Sequence, residues 1–503
     1  MKDKIIFWFG VDFTQFCMAY YFQKIHDCEM YSIVDVTNET KDFFQHQKLI
    51  SFEKTWFLDE QYTLKTKPDM DYLKHFEEKY KINLWQLAIN ERFFYNFNNF
   101  YNFSQNEILT ILEQICRFYE NLFEKISPDF FVTKLTTFHH LELFRLMCKY
   151  HNTKILMLNT PKIKNQNLIA EDSHKVDYIE NLDEIKCETK NFEELFNYIE
   201  SKNTKSLVQD FLNRHAENSN THQIKSLFRF LTSPNSNVKT HYNYFGRTKF
   251  KVLKNTLDLQ IRKKLRKSFI DRNLILNPDL SEPYVYFPLG VILERHVLIG
   301  APYFTNQVEL IRHVAKSLPV GYRLLVKENP AQSSREWRPI SEYKEMINIP
   351  NTTIIHPSYP QENLLKNSSL VATITGSSSF EAPFYKKPSI VFGDVIYSYL
   401  PSVTKVNSIL DLPKIIKHSL ESHVNESDLS KYLFMMEKNL INFELAKFVS
   451  DFEERFLYAG GFRDVKINEN KLLSFIHEKE KDLMYLSKCH VNKIEQHKNH
   501  SNH

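Results

Sequence analysis

At 503 residues the chain is long enough for two or three domains with separate cores. Its 42% hydrophobic and 14% aromatic content excludes a disordered polymer. A formal net charge of +4 excludes the global positive field of a nucleic-acid binder, so any basic function is local.

Six cysteines (Cys17, Cys28, Cys116, Cys148, Cys187, Cys489) are scattered without a CxxC pair, which suits reduced thiols better than a disulfide framework. The apolar run in MKDKIIFWFGVDF is too short for a signal peptide, and no stretch approaches the ~18–20 apolar residues of a spanning helix. The expectation is a cytoplasmic protein, free or peripheral at the inner face of the membrane.

In chain order, residues 4–9 (KIIFWF) predict a buried strand, 14–25 an apolar-periodic helix and 30–34 a second strand. This is the β-α-β opening of a parallel sheet. Asp12 and Asp35 fall at the strand ends, where open parallel sheets bind ligands, although both also fit as caps. Between 59 and 103 the aromatics Trp85, Phe93, Phe94, Tyr95 and Phe97, with Arg92, would make either a sugar-stacking surface or, more commonly, core. Ser104 and Glu107 form a capping box that opens a helix to about residue 125. A strand over 130–133, a helix over 139–150 and a strand over 154–158 follow.

His139, His140 and Glu142 open that helix just past a strand end, where a general base or an acceptor ligand would sit. Adjacent histidines on a helix face different directions, which excludes the usual i, i+4 metal pair and leaves one of the two to be buried or capping while the other is the candidate base. From 191 to 277 the pattern is helical and rich in Lys and Asn. There Leu253, Leu257, Ile261 and Leu265 recur at helical spacing beside Arg262, Lys263, Lys264, Arg266 and Lys267. One reading is the solvated face of a connecting helix; the other is contact with an anionic membrane or anionic glycan through 249–267.

A second α/β unit opens with a strand at 284–289 and an extended segment at 296–299. A helix over 304–318 and a strand over 321–326 lead into Lys327, Glu328, Asn329 and Pro330. A strand over 351–355 and a helix over 361–367 precede LVATITGSSSFEAPFYKKPSIVFGD (370–394). It reads as a strand, a small-residue turn at Gly376, Ser377, Ser378 and Ser379, a short helix with Glu381, and a second strand over 389–392. A turn at a helix N-terminus suits a phosphate, and Glu381 one helical turn further on suits ribose hydroxyls. Phosphate plus ribose means a nucleotide.

Beyond 401 the pattern is helical, and the tail over 490–503, with four histidines, predicts disorder rather than a metal site. The fold class expected is α/β, two Rossmann-like domains facing each other across a cleft. The layout is an N-terminal, acceptor-binding domain over 1–190 and a basic helical connector over 191–280. A C-terminal, donor-binding domain over 281–410, helices over 411–489 and the tail complete it.

The run LIGAPYFTNQVELIRHVAKSLPVGYRLLVKENP, then SEYKEMINIPNTTIIHPS, then ITGSSSFEAPFYKKPSIVFGD, is similar to the capsule polysaccharide biosynthesis family, which includes retaining Kdo transferases with GT-B-like folds. The similarity is close over 284–405 and looser in LWQLAINERFFY and TTFHHLELFR. TGSSSFEA with the following KKP also resembles UDP-N-acetylglucosamine 2-epimerases and other GT-B enzymes. The resemblance implies donor-phosphate contacts at Ser377 and Ser378, with Thr375, Gly376 and Ser379 in the same turn, and a ribose contact at Glu381. It sets Lys327, Glu328, Asn329 and Pro330 on the family's K-E-H-P motif, with Asn329 in place of a His that carries charge or a proton.

The function implied is a metal-independent GT-B glycosyltransferase of capsule or surface polysaccharide synthesis. Its donor would be a nucleotide sugar such as CMP-Kdo, bound as substrate with no cofactor, and its acceptor a glycan or lipid-linked glycan; no nucleic acid partner is expected. The base would come from the N-terminal domain, with His139, His140, Glu142 and Asp12 as candidates. The rivals are a non-catalytic scaffold of a glycan assembly complex, which the Asn329 departure supports, and a nucleotide-sugar epimerase.

Overall fold

The structure, a computed structural model, describes residues 2–36, 38–64, 66–94, 99–202, 220–232, 245–292, 294–334, 336–458 and 463–501. Tyr95 and Phe97 and parts of the connector lie outside this set.

The run Ile5, Ile6, Phe7, Trp8 and Phe9 is at most 5% exposed, as an interior parallel strand requires. It forms the centre of β1 (Asp3–Phe9). Because successive side chains point to opposite faces, Phe7 and Phe9 enter one apolar core and Ile6 and Trp8 another. The sheet also contains β2 (Cys28–Val34), β3 (Lys54–Phe57), β4 (Phe130–Lys134), β5 (Lys154–Asn159) and β6 (Asn167–Ala170). Its order is β6-β5-β4-β1-β2-β3, parallel except for the antiparallel β5-β6 pair. The helix Thr14–Ile25 follows β1, and Gln105–Ile126 starts at a Ser104–Glu107 capping box.

The second sheet holds β7 (Tyr284–Pro288), β8 (Arg323–Lys327), β9 (Thr352–Ile355), β10 (Leu370–Thr373), β11 (Ser389–Val391) and β12 (Val403–Lys405). All pairs are parallel, in the order β12-β11-β10-β7-β8-β9, the doubly wound Rossmann pattern. Each sheet has a point where the strand order reverses, between β1 and β4 in the first and between β7 and β10 in the second. The segments leaving the carboxyl ends of these strands meet between the domains. Arg295, beyond β7, donates to the Thr136 carbonyl, beyond β4, at 3.0 Å and to Ser173 Oγ at 3.1 Å. Asn90 Nδ2 donates to the Pro302 carbonyl at 3.2 Å. The protein is therefore two Rossmann-like domains facing each other, a GT-B-like architecture.

Two expectations are corrected. The segment expected to be extended at 296–299 is helical, Arg295–Leu298, because Glu294 accepts amide hydrogen bonds from both Val297 and Leu298. The tail expected to be disordered is the second half of a helix, Glu480–Ser501, whose His490, Ile494 and His497 are at most 1% exposed. Its apolar positions are sparse along the sequence, but they fall on one face and meet the helix Thr14–Ile25. Ser487 Oγ donates to the Met18 carbonyl at 2.9 Å.

The C-terminal helices thus cross back and complete the first domain. A short strand, β13 (Leu440–Ile441), adds antiparallel to β6, and Phe448, Phe452, Phe475, Leu483 and Leu486 join the core of Phe9, Phe13 and Phe16. Among the described residues no helix is long and apolar enough to cross a membrane.

Candidate functional site

In an open α/β sheet the crevice beyond the strand-order reversal is the ligand position, since the flanking loops diverge there. Both domains have a cavity at that place.

The C-terminal cavity, about 250 Å³, lies between the segment after β7 (Leu289, Gly290, Val291) and the turn after β10 (Thr375, Gly376, Ser377, Ser378). Lys327, Glu328, Asn329 and Pro330 close one side, so the structure brings together most of the residues expected to bind a nucleotide. Gly376 is required here: a Cβ would come 2.6 Å from Thr373 Oγ1. The turn spends the amides of Gly376, Ser379, Phe380 and Glu381 internally. Among the described residues, those of Ser377 and Ser378 meet no acceptor within the chain.

Three of the expected contacts differ in position. The helix Ser378–Glu381 is a single turn continued as a 3-10 turn, so it adds little dipole to the site. Ser379 is fully buried and points inward, its hydroxyl on the Gly376 carbonyl at 2.9 Å and the Tyr397 hydroxyl at 3.3 Å. Glu328 is also fully buried: its oxygens accept from Arg338 Nε at 2.9 Å, Tyr343 Oη at 2.7 Å and the Asn329 amide at 2.7 Å. It shapes the loop rather than facing a ligand. Glu381 lies at the rim, with Gln361 Nε2 3.5 Å from its carboxylate and 3.1 Å from Ser378 Oγ.

The positive charge in the cavity comes from two lysines, and Glu294 lines it as well. Lys327, at the end of β8, is 3% exposed, and burial pushes its ammonium down to about 8. Lys162, three residues beyond β5 in the other domain, lines the same cavity and is also lowered by burial. Neither ammonium has a hydrogen-bond or ion-pair partner in the chain among the described residues. His296 completes the wall; burial, then Lys162 and Arg295, push it down to about 3, so its imidazole is neutral. Lys162 and His296 were missed from sequence. The strand-end rule, applied to β5 and β7 as it was to β1, flags both regions.

The N-terminal cavity, about 540 Å³, opens beyond β1 and β4 and is lined by Asp12, Gln15, Asp35, Arg92, Lys134 and Thr160 among others. Asp12 pairs with Lys134 and accepts from Thr14 N at 3.0 Å and Thr14 Oγ1 at 2.7 Å. Burial pushes its carboxyl up, but Lys134 and Thr14 prevail and hold it below the usual carboxylate range. It is therefore a weak base. Gln15 is 3% exposed, and among the described residues neither its amide oxygen nor its nitrogen has a partner.

The four residues expected to include the base do not converge. His140 is fully buried, its ring between Trp8 and Phe138 at centroid distances of 5.8 and 5.5 Å and its Nε2 on Asp35 at 2.9 Å. This is a core histidine, and the base role expected for it does not fit. His139 and Glu142 line a third cavity, about 330 Å³, between the domains with Leu298 and Pro302. His139 Nδ1 lies 3.1 Å from Glu91, and Glu142 is held by Arg145 at 2.7 Å and Thr136 at 2.6 Å. Burial raises Glu142, yet Arg145 and Thr136 leave it below the usual range. Among the described residues no group of three or more His, Cys, Asp or Glu could hold a metal ion.

No curated protein matches the sequence. Among solved structures, a beta Kdo 2,7 transferase, KpsC from Thermosulfurimonas dismutans, is similar at 15% identity over 71% of this chain and 98% of that one, with a TM-score of 0.28. A UDP-GlcNAc 2-epimerase from Methanocaldococcus jannaschii is similar at 13% identity over 87% and 99%, with a TM-score of 0.25. A family model described as "Capsule polysaccharide biosynthesis protein" matches residues 189–411, which contain the whole of the second sheet and, apart from Lys162, the lining of the cavity at its strand-order reversal. Over that segment the chain is similar to the capsule polysaccharide biosynthesis family.

Proposed function

We propose that the protein is a glycosyltransferase of capsule or surface polysaccharide synthesis that takes its donor, a nucleotide-activated sugar, in the C-terminal cavity. The observation that carries this reading is the pair Lys162 and Lys327, one from each domain, on a single cavity beside the Ser377–Ser378 turn. Two largely buried cations without a direct ion-pair partner are costly, and a phosphate between them offsets that cost. The leaving nucleotide develops negative charge as the glycosidic bond breaks. Lysines fixed by both domains stabilise that charge without a metal ion.

Neutral His296 and Asn329 offer hydrogen bonds without adding charge. The N-terminal cavity suits the acceptor, because Gln15, Asp12 and Thr160 present hydrogen-bonding groups to hydroxyls beside the apolar walls of Phe13 and Phe138.

The reading is tested by thermal shift with CMP, UDP, GDP and their sugar conjugates. A ligand at 100 times its Kd adds about 2.7 kcal/mol to the folded state. The expected result is a shift with one nucleotide family that is lost in Lys327→Met and in Lys162→Met. A CMP-specific shift assigns a Kdo-like donor, and no shift with any nucleotide moves the protein to the scaffold reading.

A further inference from the structure

The helix Lys249–Asn273 has two unlike faces. Its inner face packs: Ile270 is fully buried, and Arg262 and Arg266 reach Glu336 at 3.3 and 2.8 Å. Its outer face is also apolar, yet it lies in solvent. Phe250, Leu253, Leu257, Ile261 and Leu265 are 76, 37, 66, 58 and 60% exposed. At 3.6 residues per turn they fall within an arc of about 120° and form a stripe about 22 Å long. The neighbouring helix Asn220–Thr232 extends the patch with Leu227, Phe228 and Leu231, its end tied to Lys249 Nζ by the Leu231 carbonyl at 2.6 Å.

An exposed patch of this size marks an interaction surface. Its charge selects the partner. Lys254 and Lys264 project within the apolar arc, and among the described residues neither has an ion-pair partner; Lys251 and Lys267 border it. Asp258 is the one acidic residue between 249 and 267. Lysine is depleted at the centre of protein–protein interfaces, where its charge would be buried. At a bilayer the same arrangement is favourable, since the apolar side chains enter the acyl boundary while lysine stems extend to the headgroups.

We propose that this outer face docks the protein on an anionic phospholipid bilayer, with the apolar stripe inserted at the interface and the lysines on lipid phosphates. The full-length protein is tested by flotation with vesicles of phosphatidylcholine alone and of phosphatidylcholine mixed with phosphatidylglycerol. The protein floats with the mixed vesicles only, and added salt weakens the binding. Leu257→Gln/Ile261→Gln loses flotation at any salt concentration. Lys254→Gln/Lys264→Gln weakens partition by about five-fold per charge, roughly twenty-five-fold for the pair.

These positions are exposed, so both variants keep the wild-type circular dichroism and melting temperature. The proposal is overturned by equal binding to neutral vesicles or by flotation that neither variant alters. Absence of flotation also overturns it, whether the protein is monomeric or forms a dimer that Leu257→Gln/Ile261→Gln dissociates.

Discussion

Glu328 and Arg338 form an ion pair at 2.9 Å in which both side chains are at most 2% exposed; the pair closes the segment after β8 on itself, and Arg338 ties that segment to the loop after β7. Arg338 Nη2 donates to the Gly290 carbonyl at 2.6 Å, and Gln307 bonds both the amide and the carbonyl of Gly290 at 2.9 and 3.1 Å. One wall of the C-terminal cavity is therefore set by charges that are paired within the protein. Removing one partner leaves the other charge buried alone, so Arg338→Met is expected to cost about 3–5 kcal/mol. The double variant Glu328→Gln/Arg338→Met, with no charge left in the site, recovers most of that loss. Melting temperatures of the four proteins in the cycle measure it, and the nucleotide-dependent shift is weakened in the single variant because Lys327 and Asn329 lose their support.

Lys327 gives the cavity a pH dependence. The unfolded lysine titrates near 10.4 and the folded one at about 8. Between these values the unfolded chain binds more protons, so this group makes the unliganded protein gain stability as pH rises from about 8 to 10.4 and leaves it flat below. Nucleotide binding runs the opposite way, because the phosphate needs the ammonium. Affinity is constant below pH 8 and falls by up to about tenfold per pH unit above it. Titration calorimetry at pH 9 in two buffers of different ionisation enthalpy shows proton uptake on binding, and Lys327→Met reduces the difference to what Lys162, also lowered by burial, contributes.

Gln15 separates ligand binding from packing. A buried amide without partners costs about 1–3 kcal/mol, and Gln15→Leu removes the polar atoms while keeping most of the volume. The variant is expected to melt higher than the wild type. If the amide serves acceptor hydroxyls, the same variant has a raised KM for the acceptor with donor binding unchanged. A structural role would give one sign for both measurements.

The local elements were legible because their signals are local. The helices Thr14–Ile25, His139–Tyr150 and Gln361–Asn367 match their apolar periodicity to the residue, and the capping box at Ser104 starts its helix. Most of the nucleotide-cavity rim was legible for a similar reason, since its turn is contiguous in sequence. What escaped depends on distant partners. β6 and the two-residue β13 exist through pairing across the sequence, and Lys162 enters the C-terminal cavity from the opposite domain. His140 looked available because it opens a helix just past a strand end; the strand residue Trp8 and Asp35 bury it.

The C-terminal helix yields the last prediction. His490 is fully buried with Nδ1 donating to the Leu486 carbonyl at 2.9 Å, and burial pushes it down to about 4. His497, bonded to Tyr178 Oη at 2.5 Å, is pushed down to about 3, first by burial and then by Lys493 and Lys154. Both are neutral when folded, whereas the unfolded histidines protonate near 6.5. Below pH 6.5 the unfolded state therefore binds more protons, and stability falls as the solution is acidified towards pH 4. Each histidine contributes up to about 1.4 kcal/mol per pH unit in that window. His490→Leu removes one of these protons, so its melting temperature declines less steeply than that of the wild type between pH 6.5 and 4. Because the helix completes the N-terminal core, deleting residues 480–503 exposes Phe22 and Met18 and is expected to unfold that domain, whereas deletion of a disordered tail would leave melting unchanged.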